Sequence, residues 1–152
     1  MSTPATKIGP YGGPGGNAWD VYTKPKKLVS VQVWSTDAEY GGVINGISFT
    51  YWDEEGNIIP SGPWGNPTGQ HHMINLIQDE HMISVFGTTD GKCITSLKFV
   101  TDKASGPYGP YGATSEAGLS TFSFQGTILA FFGSSTEKLN AFGAYTVLFK
   151  QA

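Results

Sequence analysis

Titratable side chains are the first candidates for chemistry in this sequence, and their grouping is typical of exposed turns. Carboxylates concentrate in three short stretches, Asp53-Glu54-Glu55, Asp79-Glu80 and Asp90. Acidic residues favour turns because their side chains bond to nearby backbone N–H groups. Solvated turn tips therefore account for this grouping without a catalytic role.

The histidines and the single cysteine also favour structural roles. His71 and His72 are adjacent, so on a strand they point to opposite faces and cannot chelate one metal ion together. His81 could approach one of them across a hairpin, but a zinc site needs three or four protein ligands and no others are evident. Cys93 precedes Ile94 in a strand-like run, where a small buried apolar role is expected. We predict no metal, no cofactor and no catalytic residue.

The elements that must position any functional side chain are predicted to be strands. Apolar and polar residues alternate along Leu28–Trp34, Ile47–Tyr51 and Leu97–Phe99, where β-branched and aromatic residues are abundant. Hairpin turns are predicted at Asp53–Asn57 and Thr89–Lys92. No segment keeps apolar residues at helical spacing for three turns, so we predict an all-β protein with almost no helix.

An internal repeat organises these strands into three units. Gly9-Pro10-Tyr11-Gly12 recurs as Gly62-Pro63-Trp64-Gly65 and as Gly109-Pro110-Tyr111-Gly112. Two strand-like segments follow each copy in the same order: residues 28–34 and 44–47, residues 81–87 and 94–97, and residues 127–133 and 139–142. Each unit is too short to bury its own apolar face, but three units around one axis share a core. The repeat predicts a prism or barrel of three four-stranded sheets.

The composition excludes several classes of partner. The 152 residues carry a net charge of −3 and no basic stripe, so nucleic acid is not an expected partner. No run of about 18 apolar residues exists, so membrane insertion is not expected. Residues 1–10 lack the apolar stretch of a signal peptide, so a cytoplasmic or nucleocytoplasmic location is expected. We assign residues 1–6 to a flexible N-terminus and residues 7–150 to a single domain.

Two runs near the chain ends carry a family resemblance. They are Gly9–Gly16 followed by Trp19-Asp20, and Phe131–Gly133 followed by Leu139–Tyr145. In this order, and with the repeats between them, they resemble jacalin-related lectins of the cereal mannose- or glucose-binding type. The resemblance covers about residues 7–150 and implies a β-prism I fold of three four-stranded Greek-key sheets with pseudo-threefold symmetry. It also implies a non-enzymatic plant lectin of defence or stress, which binds mono- or oligosaccharides and glycoproteins and is compatible with a homodimer.

The resemblance assigns a sugar site to two loops from opposite ends of the chain. In the family, a glycine-rich first loop meets a C-terminal loop of pattern G-x-x-x-D, whose aspartate accepts hydrogen bonds from sugar hydroxyls. By position, the carbohydrate-binding residues are Gly15, Gly16, Thr136, Glu137, Lys138 and Asn140. Glycine lets a ligand approach the backbone closely, and the amides of Glu137 and Lys138 are expected donors. Glu137 is the one carboxylate in these loops, so the paired carboxylates of a glycosidase are not expected.

This sequence departs from the family pattern at two positions of the C-terminal loop. Thr136 replaces Gly and is strained if its φ is positive. Asn140 replaces Asp and therefore accepts hydrogen bonds without charge assistance, which predicts weakened or altered sugar specificity. The alternative interpretation is a β-prism protein-interaction module that has lost sugar binding.

The repeat offers a second candidate site of the same form. Gly41–Asn45 reads G-x-x-x-N and is expected to face Gly62–Gly69; its candidate residues are Gly41, Val43, Ile44, Asn45, Thr68 and Gly69. The third copy, Gly91–Thr95, ends in threonine and is the least suited to sugar. Trp19, Trp34, Trp52 and Trp64 are either core residues or, where exposed, surfaces on which a sugar could stack.

Overall fold

The computed structural model describes residues 5–148, which form strands and loops with no helix in that range. The strands are β1 (Thr6–Gly12), β2 (Asn17–Trp19), β3 (Pro25–Thr36), β4 (Val43–Asp53), β5 (Ile58–Gly65), β6 (Gln70–Asn75), β7 (Met82–Thr89), β8 (Ile94–Thr101), β9 (Tyr108–Gly112), β10 (Ser120–Ser135) and β11 (Leu139–Val147). The all-β prediction is confirmed. Within the described range there is consequently no helix with the length and apolarity needed to cross a membrane.

The strands form three antiparallel four-stranded sheets. The first sheet has the order β2-β10-β11-β1, the second has β6-β3-β4-β5, and the third has β10-β7-β8-β9. In the second sheet β3, β4 and β5 are consecutive, and β6 returns to lie beside β3, which is a Greek key. The predicted prism of three Greek-key sheets is confirmed.

Strand β10 belongs to two sheets, because its ends pair with different neighbours. Ser120–Gln125 pairs with β7 in the third sheet, and Thr127–Ser135 pairs with β11 in the first. The bend falls at Gly126, whose φ is +121°. A Cβ at this position would lie 2.7 Å from the Val147 carbonyl oxygen, so glycine is needed where the strand turns the corner.

The threefold repeat of the sequence is present in the geometry. Gly12, Gly65 and Gly112 all have positive φ, at 125°, 87° and 92°. A Cβ on each would lie 2.3–2.4 Å from a backbone oxygen, which belongs to Asn140, Asn45 and Thr95 respectively. The residues after these glycines donate a backbone hydrogen bond to the same three oxygens at 2.8–2.9 Å. The Gly-Pro bonds at Pro10, Pro63 and Pro110 are all cis.

Equivalent aromatic stacks join each sheet to the next, and we call them the aromatic seams. Trp19 of β2 stacks on Trp64 of β5 with ring centroids 5.1 Å apart. His72 of β6 stacks on Tyr111 of β9 at 3.9 Å, and Phe122 of β10 stacks on Tyr11 of β1 at 5.3 Å. In each seam one ring comes from the Gly-Pro-aromatic-Gly repeat. Inside the seams lies one apolar core to which all three sheets contribute, including Tyr51, Phe99 and Phe131.

The two ends of the domain lie partly outside the described residues. Of the six N-terminal residues expected to be flexible, residues 1–4 are outside the described range and Thr6 pairs with Thr146 as the first residue of β1. Of the predicted domain 7–150, residues 149 and 150 are also outside this range.

Candidate functional site

The two ends of the chain meet, which brings the predicted sugar loops together. β1 pairs with β11 and β2 pairs with β10, so the loop between β1 and β2 lies beside the loop between β10 and β11. The Gly13 N–H donates to the Asn140 carbonyl at 2.9 Å, and the Ser134 hydroxyl donates to the Gly15 carbonyl at 2.9 Å. The predicted juxtaposition of Gly15-Gly16 with the loop of residues 136–140 is confirmed.

The Asn140 side chain is held at both ends of its amide. Its Oδ1 accepts a hydrogen bond from the Thr136 hydroxyl at 3.1 Å, and its Nδ2 donates to the Lys92 carbonyl at 3.3 Å. The carbonyl partner identifies the nitrogen end, since only Nδ2 can donate to an oxygen that itself only accepts. Asn140 is half-buried, and its second Nδ2 hydrogen has no partner among the described residues. The amide is therefore oriented before any ligand arrives.

Gly16 needs to be glycine because two neighbours crowd its missing Cβ. Its φ is +91°, and an added Cβ would lie 2.8 Å from Asn140 Oδ1 and 2.9 Å from the Ser135 amide nitrogen. The exposed backbone of Gly15-Gly16 thus packs directly against the Asn140 amide. The two loops are therefore in direct contact at Gly16.

The tip of the C-terminal loop exposes backbone donors. Thr136, Glu137 and Lys138 are exposed, and the Thr136 N–H donates to the Lys138 carbonyl at 3.0 Å. Within the described chain, the N–H groups of Glu137 and Lys138 donate to no other residue. Asp79 is the one non-glycine residue of residues 5–148 with a positive φ, so Thr136 does not carry the strain considered from the sequence.

The second pair of loops, around residues 41–45 and 62–69, is assembled differently from the first. Asn45 is only 8% exposed, and its Nδ2 donates to the Thr36 hydroxyl and to the Thr68 carbonyl, both at 3.0 Å. Both amide hydrogens are therefore used inside the protein. Gly69 packs against this amide, with its absent Cβ 2.9 Å from Asn45 Nδ2.

The remaining candidates of the second site do not join Asn45 at one surface. Ile44 is fully buried in the core. Gly41 and Val43 instead line a cavity of about 230 Å³ together with Asp90, Thr95 and neighbouring residues of the third sheet and its loops. The structure brings Asn45, Thr68 and Gly69 together and leaves Gly41 and Val43 on a different surface. At the third copy, Thr95 is buried and its hydroxyl bonds to Thr88 at 2.6 Å.

Cys93 lies below the first site as a buried thiol. Burial raises the pKa of Cys93, and the nearby Asp90 carboxylate raises it further, while the Lys138 charge partly offsets both. The thiol therefore stays protonated at neutral pH and lacks the thiolate form that a nucleophile needs.

A serine, a histidine and an aspartate meet at the seam between the second and third sheets. His72 Nε2 lies 3.2 Å from Ser35 Oγ and 3.3 Å from Asp37 Oδ2. In a hydrolase triad the aspartate and the serine contact different ring nitrogens, whereas here both contact Nε2. Burial pushes the pKa of Asp37 upward, but hydrogen bonds from Ser35 and the Gly112 N–H and the charge of His72 hold it below its usual value. The cluster therefore joins the second sheet to the third, because Asp37 accepts a hydrogen bond from the Gly112 N–H of β9.

The two adjacent histidines point to opposite sides of β6. His71 stacks on Trp34, whereas His72 stacks on Tyr111. Among residues 5–148 no group of three or more histidine, cysteine, aspartate or glutamate side chains is placed to hold a metal ion. The tryptophans also divide: Trp19 is buried, Trp34 and Trp64 are half-buried, and Trp52 is 38% exposed.

Sequence reasoning missed three contributors to the first site. Lys92 contributes its carbonyl from the β7–β8 turn of the third sheet, and Gly13 and Ser134 tie the two loops together. Lys92 carries no local signal, because the contact exists only when three sheets close around one axis. The equivalence of Gly13 and Asn66 in the repeat was the available signal for Gly13.

An all-β prism with paired glycine-bearing loops defines a class of carbohydrate-binding lectins, and comparison with known proteins specifies the family. The Jacalin-like lectin domain matches residues 8–145. The chain belongs to this family of non-enzymatic carbohydrate-binding proteins.

Curated relatives and solved structures extend over nearly the whole chain. Horcolin from Hordeum vulgare is 35% identical, over 95% of this chain and 98% of that protein. A mannose/glucose-specific lectin from Parkia pendula is 30% identical, over 91% of this chain and 31% of that longer protein. A mannose-binding jacalin-related lectin from Ananas comosus superposes with a TM-score of 0.81 at 27% identity, covering 95% of this chain and 99% of the other. A mannose-specific jacalin-related lectin from Morus nigra, in complex with mannose, gives 0.74 at 28% identity and 97% of both chains.

Proposed function

We propose that the loops of residues 13–16 and 136–140 bind mannose- or glucose-type sugars, with an affinity weakened by the amide at Asn140. The observation that carries the proposal is the preorganised Asn140 amide, which lies between the Gly15-Gly16 backbone and the exposed N–H groups of Glu137 and Lys138. The Parkia relative is mannose/glucose-specific, and the Ananas and Morus structures are of mannose-binding lectins. These relatives support the choice of sugar.

The chemistry of the site suits neighbouring hydroxyls. Each sugar hydroxyl both donates and accepts, so it can accept from a loop N–H and donate to Asn140 Oδ1. Asn140 also offers a donor, because one Nδ2 hydrogen is free of protein partners among residues 5–148. A carboxylate there would offer only acceptors, with stronger charge-assisted bonds. Lys138 lies exposed at the rim, where its alkyl stem can cover the sugar.

The test is to restore the carboxylate by Asn140→Asp. Two accepted hydrogen bonds would gain charge assistance, so mannoside affinity is expected to rise by about 1–2 kcal/mol, roughly ten- to thirtyfold. The Nδ2 contact to the Lys92 carbonyl is lost in this variant, so a stability loss of about 1 kcal/mol is expected alongside it. Isothermal titration calorimetry with methyl α-mannoside measures the first effect, and urea unfolding measures the second.

The matched control is Asn45→Asp, the same chemical change at the equivalent position. Asn45 is buried with both amide hydrogens donated, so the change is expected to destabilise the fold by about 2–4 kcal/mol without raising mannoside affinity. If Asn140→Asp folds normally and neither it nor the natural protein binds any mannoside or glucoside, the proposal is wrong. The protein-interaction module then becomes the better interpretation.

The location of the protein and its natural partners are further proposals. We infer that it meets mannose-bearing glycoproteins in the cytoplasm or nucleus. Fluorescence microscopy of a fusion protein tests the location. Light scattering in solution tests the proposed homodimer.

A further inference from the structure

A groove on the outer face of the third sheet lies apart from the proposed mannose site of residues 13–16 and 136–140, which we call the prism-end site. Its cavity has a volume of about 300 Å³ and is bounded by β7, β8, β10 and the loop after β9. Phe86 and Lys98 form one wall, Thr88 and Ser96 the floor, and Thr114 and Glu116 the overhanging loop. Neither of the loops proposed above for mannose contributes to it.

The threefold repeat shows what this groove can hold. Trp34 in the second sheet is equivalent to Thr88 in the third, because Trp34 pairs with Gly46 as Thr88 pairs with Ser96. The Trp34 indole lies flat on His71, with centroids 4.9 Å apart and planes 14° apart. The third sheet has a threonine in place of the indole, so it leaves room for a flat six-membered ring.

One hydroxyl proton on the floor of the groove has no acceptor among the described residues. Thr88 Oγ1 lies 2.6 Å from both Thr95 Oγ1 and Ser96 Oγ. Three hydroxyls supply three protons, but these two hydrogen bonds use only two. Thr88, Ser96 and Thr95 are 3%, 5% and 4% exposed, so an unused donor here is costly unless a ligand or water accepts it. Two of the three, Thr88 and Ser96, line the groove.

The walls combine an aromatic surface with further polar groups. Phe86 is 37% exposed, and Lys98 Nζ is held over its ring at 4.9 Å from the centroid. Exposed Thr121 and Ser123 add hydroxyls along β10, and Glu116 adds a carboxylate from the loop. A pyranose ring matches this arrangement, because its C–H face can pack on the part of the Phe86 ring that Lys98 leaves exposed, while its hydroxyls both donate and accept.

We propose that this groove is a further carbohydrate site, separate from both loop pairs, which binds one hexopyranose unit independently of the prism-end loops. The occupant is neutral, since one cation and one carboxylate face it together with the hydroxyls. With the prism-end site, the groove would make a single chain bivalent for glycans.

The experiment is an NMR titration of the intact protein with methyl α-mannoside, methyl α-glucoside and methyl β-galactoside in turn. Amide signals of Ser96 and Thr121 report the groove, and those of Glu137 and Lys138 report the prism end. At about 100 mM sugar a site with Kd near 10 mM is about nine-tenths filled. We expect both groups of signals to shift, with separate concentration dependences.

Two variants test the groove specifically. Thr88→Trp with Ser96→Gly copies the second sheet, so the new indole should fill the groove and abolish shifts at Thr121 while those at Glu137 persist. Phe86→Ala removes the partly exposed wall with less risk to folding and should weaken groove binding at least tenfold.

The NMR results distinguish the groove from the prism-end site. Shifts at the groove alone support this inference and contradict the prism-end proposal, and shifts at the prism end alone do the reverse. No shift at either contradicts both. If N-acetyl-tryptophanamide shifts the groove signals and no sugar does, the groove binds an aromatic peptide side chain and the sugar assignment is wrong.

Discussion

Two asparagines in equivalent positions differ in what they can offer a ligand. Asn140 is half-buried and keeps one amide hydrogen free of protein partners within residues 5–148, whereas Asn45 is buried and donates both. Both amides contact a threonine hydroxyl, from Thr136 and Thr36 respectively. The same residue type is therefore a candidate ligand-binding group in one repeat and a loop clamp in another, and the difference lies in burial.

Asp37 is the residue whose charge most clearly ties two sheets together. Its Oδ1 accepts from the Ser35 hydroxyl at 2.6 Å and from the Gly112 N–H at 2.7 Å. Its folded pKa lies below the ordinary 3.8, so its stabilising effect is present above about pH 3.8 and is lost as the pH falls through the folded pKa. Asp37→Asn is expected to cost about 1–2 kcal/mol at pH 7 and to reduce the acid-induced loss of stability.

Urea unfolding at pH 7 and at pH 3 measures both effects of the Asp37 substitution. Asp102→Asn is a suitable control, since Asp102 pairs with His81 at 3.4 Å within one sheet. Asp102→Asn should lower the free energy of unfolding at pH 7 by less than Asp37→Asn does, because the Asp102 side chain makes no hydrogen bond to a second sheet among the described residues. Equal losses for the two variants would contradict the bridging role of Asp37.

At the scale of elements, the glycine loops are shaped by close backbone approach as well as by positive φ. Gly16 and Gly91 have nearly equal φ, 91° and 89°, but a Cβ on Gly16 meets Ser135 and Asn140 whereas one on Gly91 meets nothing within 4 Å. The two positions therefore separate the cost of the backbone conformation from the cost of the contact between loops.

Gly16→Ala is expected to destabilise the protein more than Gly91→Ala does. In both variants the left-handed backbone conformation lowers the free energy of unfolding by about 1–2 kcal/mol. Gly16→Ala also displaces the facing loop, at about 1–3 kcal/mol more, and should abolish mannoside binding. Thermal unfolding and calorimetry on both variants measure this. A Gly16→Ala protein that still binds mannoside like the parent would place the sugar elsewhere.

At the scale of the whole molecule, the aromatic seams hold three sheets as one prism. Trp64 stacks on Trp19 with planes 1° apart and also donates its indole N–H to Ser61 at 3.0 Å. The Trp19 indole N–H, by contrast, is buried without a partner among the described residues. Because Trp64 belongs to the second sheet and Trp19 to the first, their contact acts between sheets.

Trp64→Ala is expected to lower the free energy of unfolding by about 3 kcal/mol. A double-mutant cycle with Trp19→Ala should give a coupling of about 0.5–1.5 kcal/mol, the range for stacked aromatic pairs. Tyr22→Ala serves as the control. Because Tyr22 is 86% exposed, this substitution should leave the free energy of unfolding almost unchanged. A coupling energy near zero would mean that the seams stabilise the prism only by burying apolar surface, without an added stacking energy.

The fold class and the three units can be read from the sequence, whereas the first pair of loops was assigned through the family resemblance. Alternating apolar residues specify strands, and Gly-Pro-aromatic-Gly marks the same irregular strand end and the same seam position in each unit. These signals are local, since each is carried by a run of a few residues whose backbone preference or periodicity is read without knowledge of partners.

Which polar groups meet depends on how the three sheets close, and no local pattern shows it. The tertiary structure placed the Lys92 carbonyl against Asn140, separated Gly41 and Val43 from Asn45, and left a groove at Thr88 where Trp34 fills the equivalent place. These contacts join residues from different repeats, so no local pattern encodes them. The closing of three sheets around one axis determines burial and free hydrogen-bonding capacity, and those two quantities separate a binding group from a structural one.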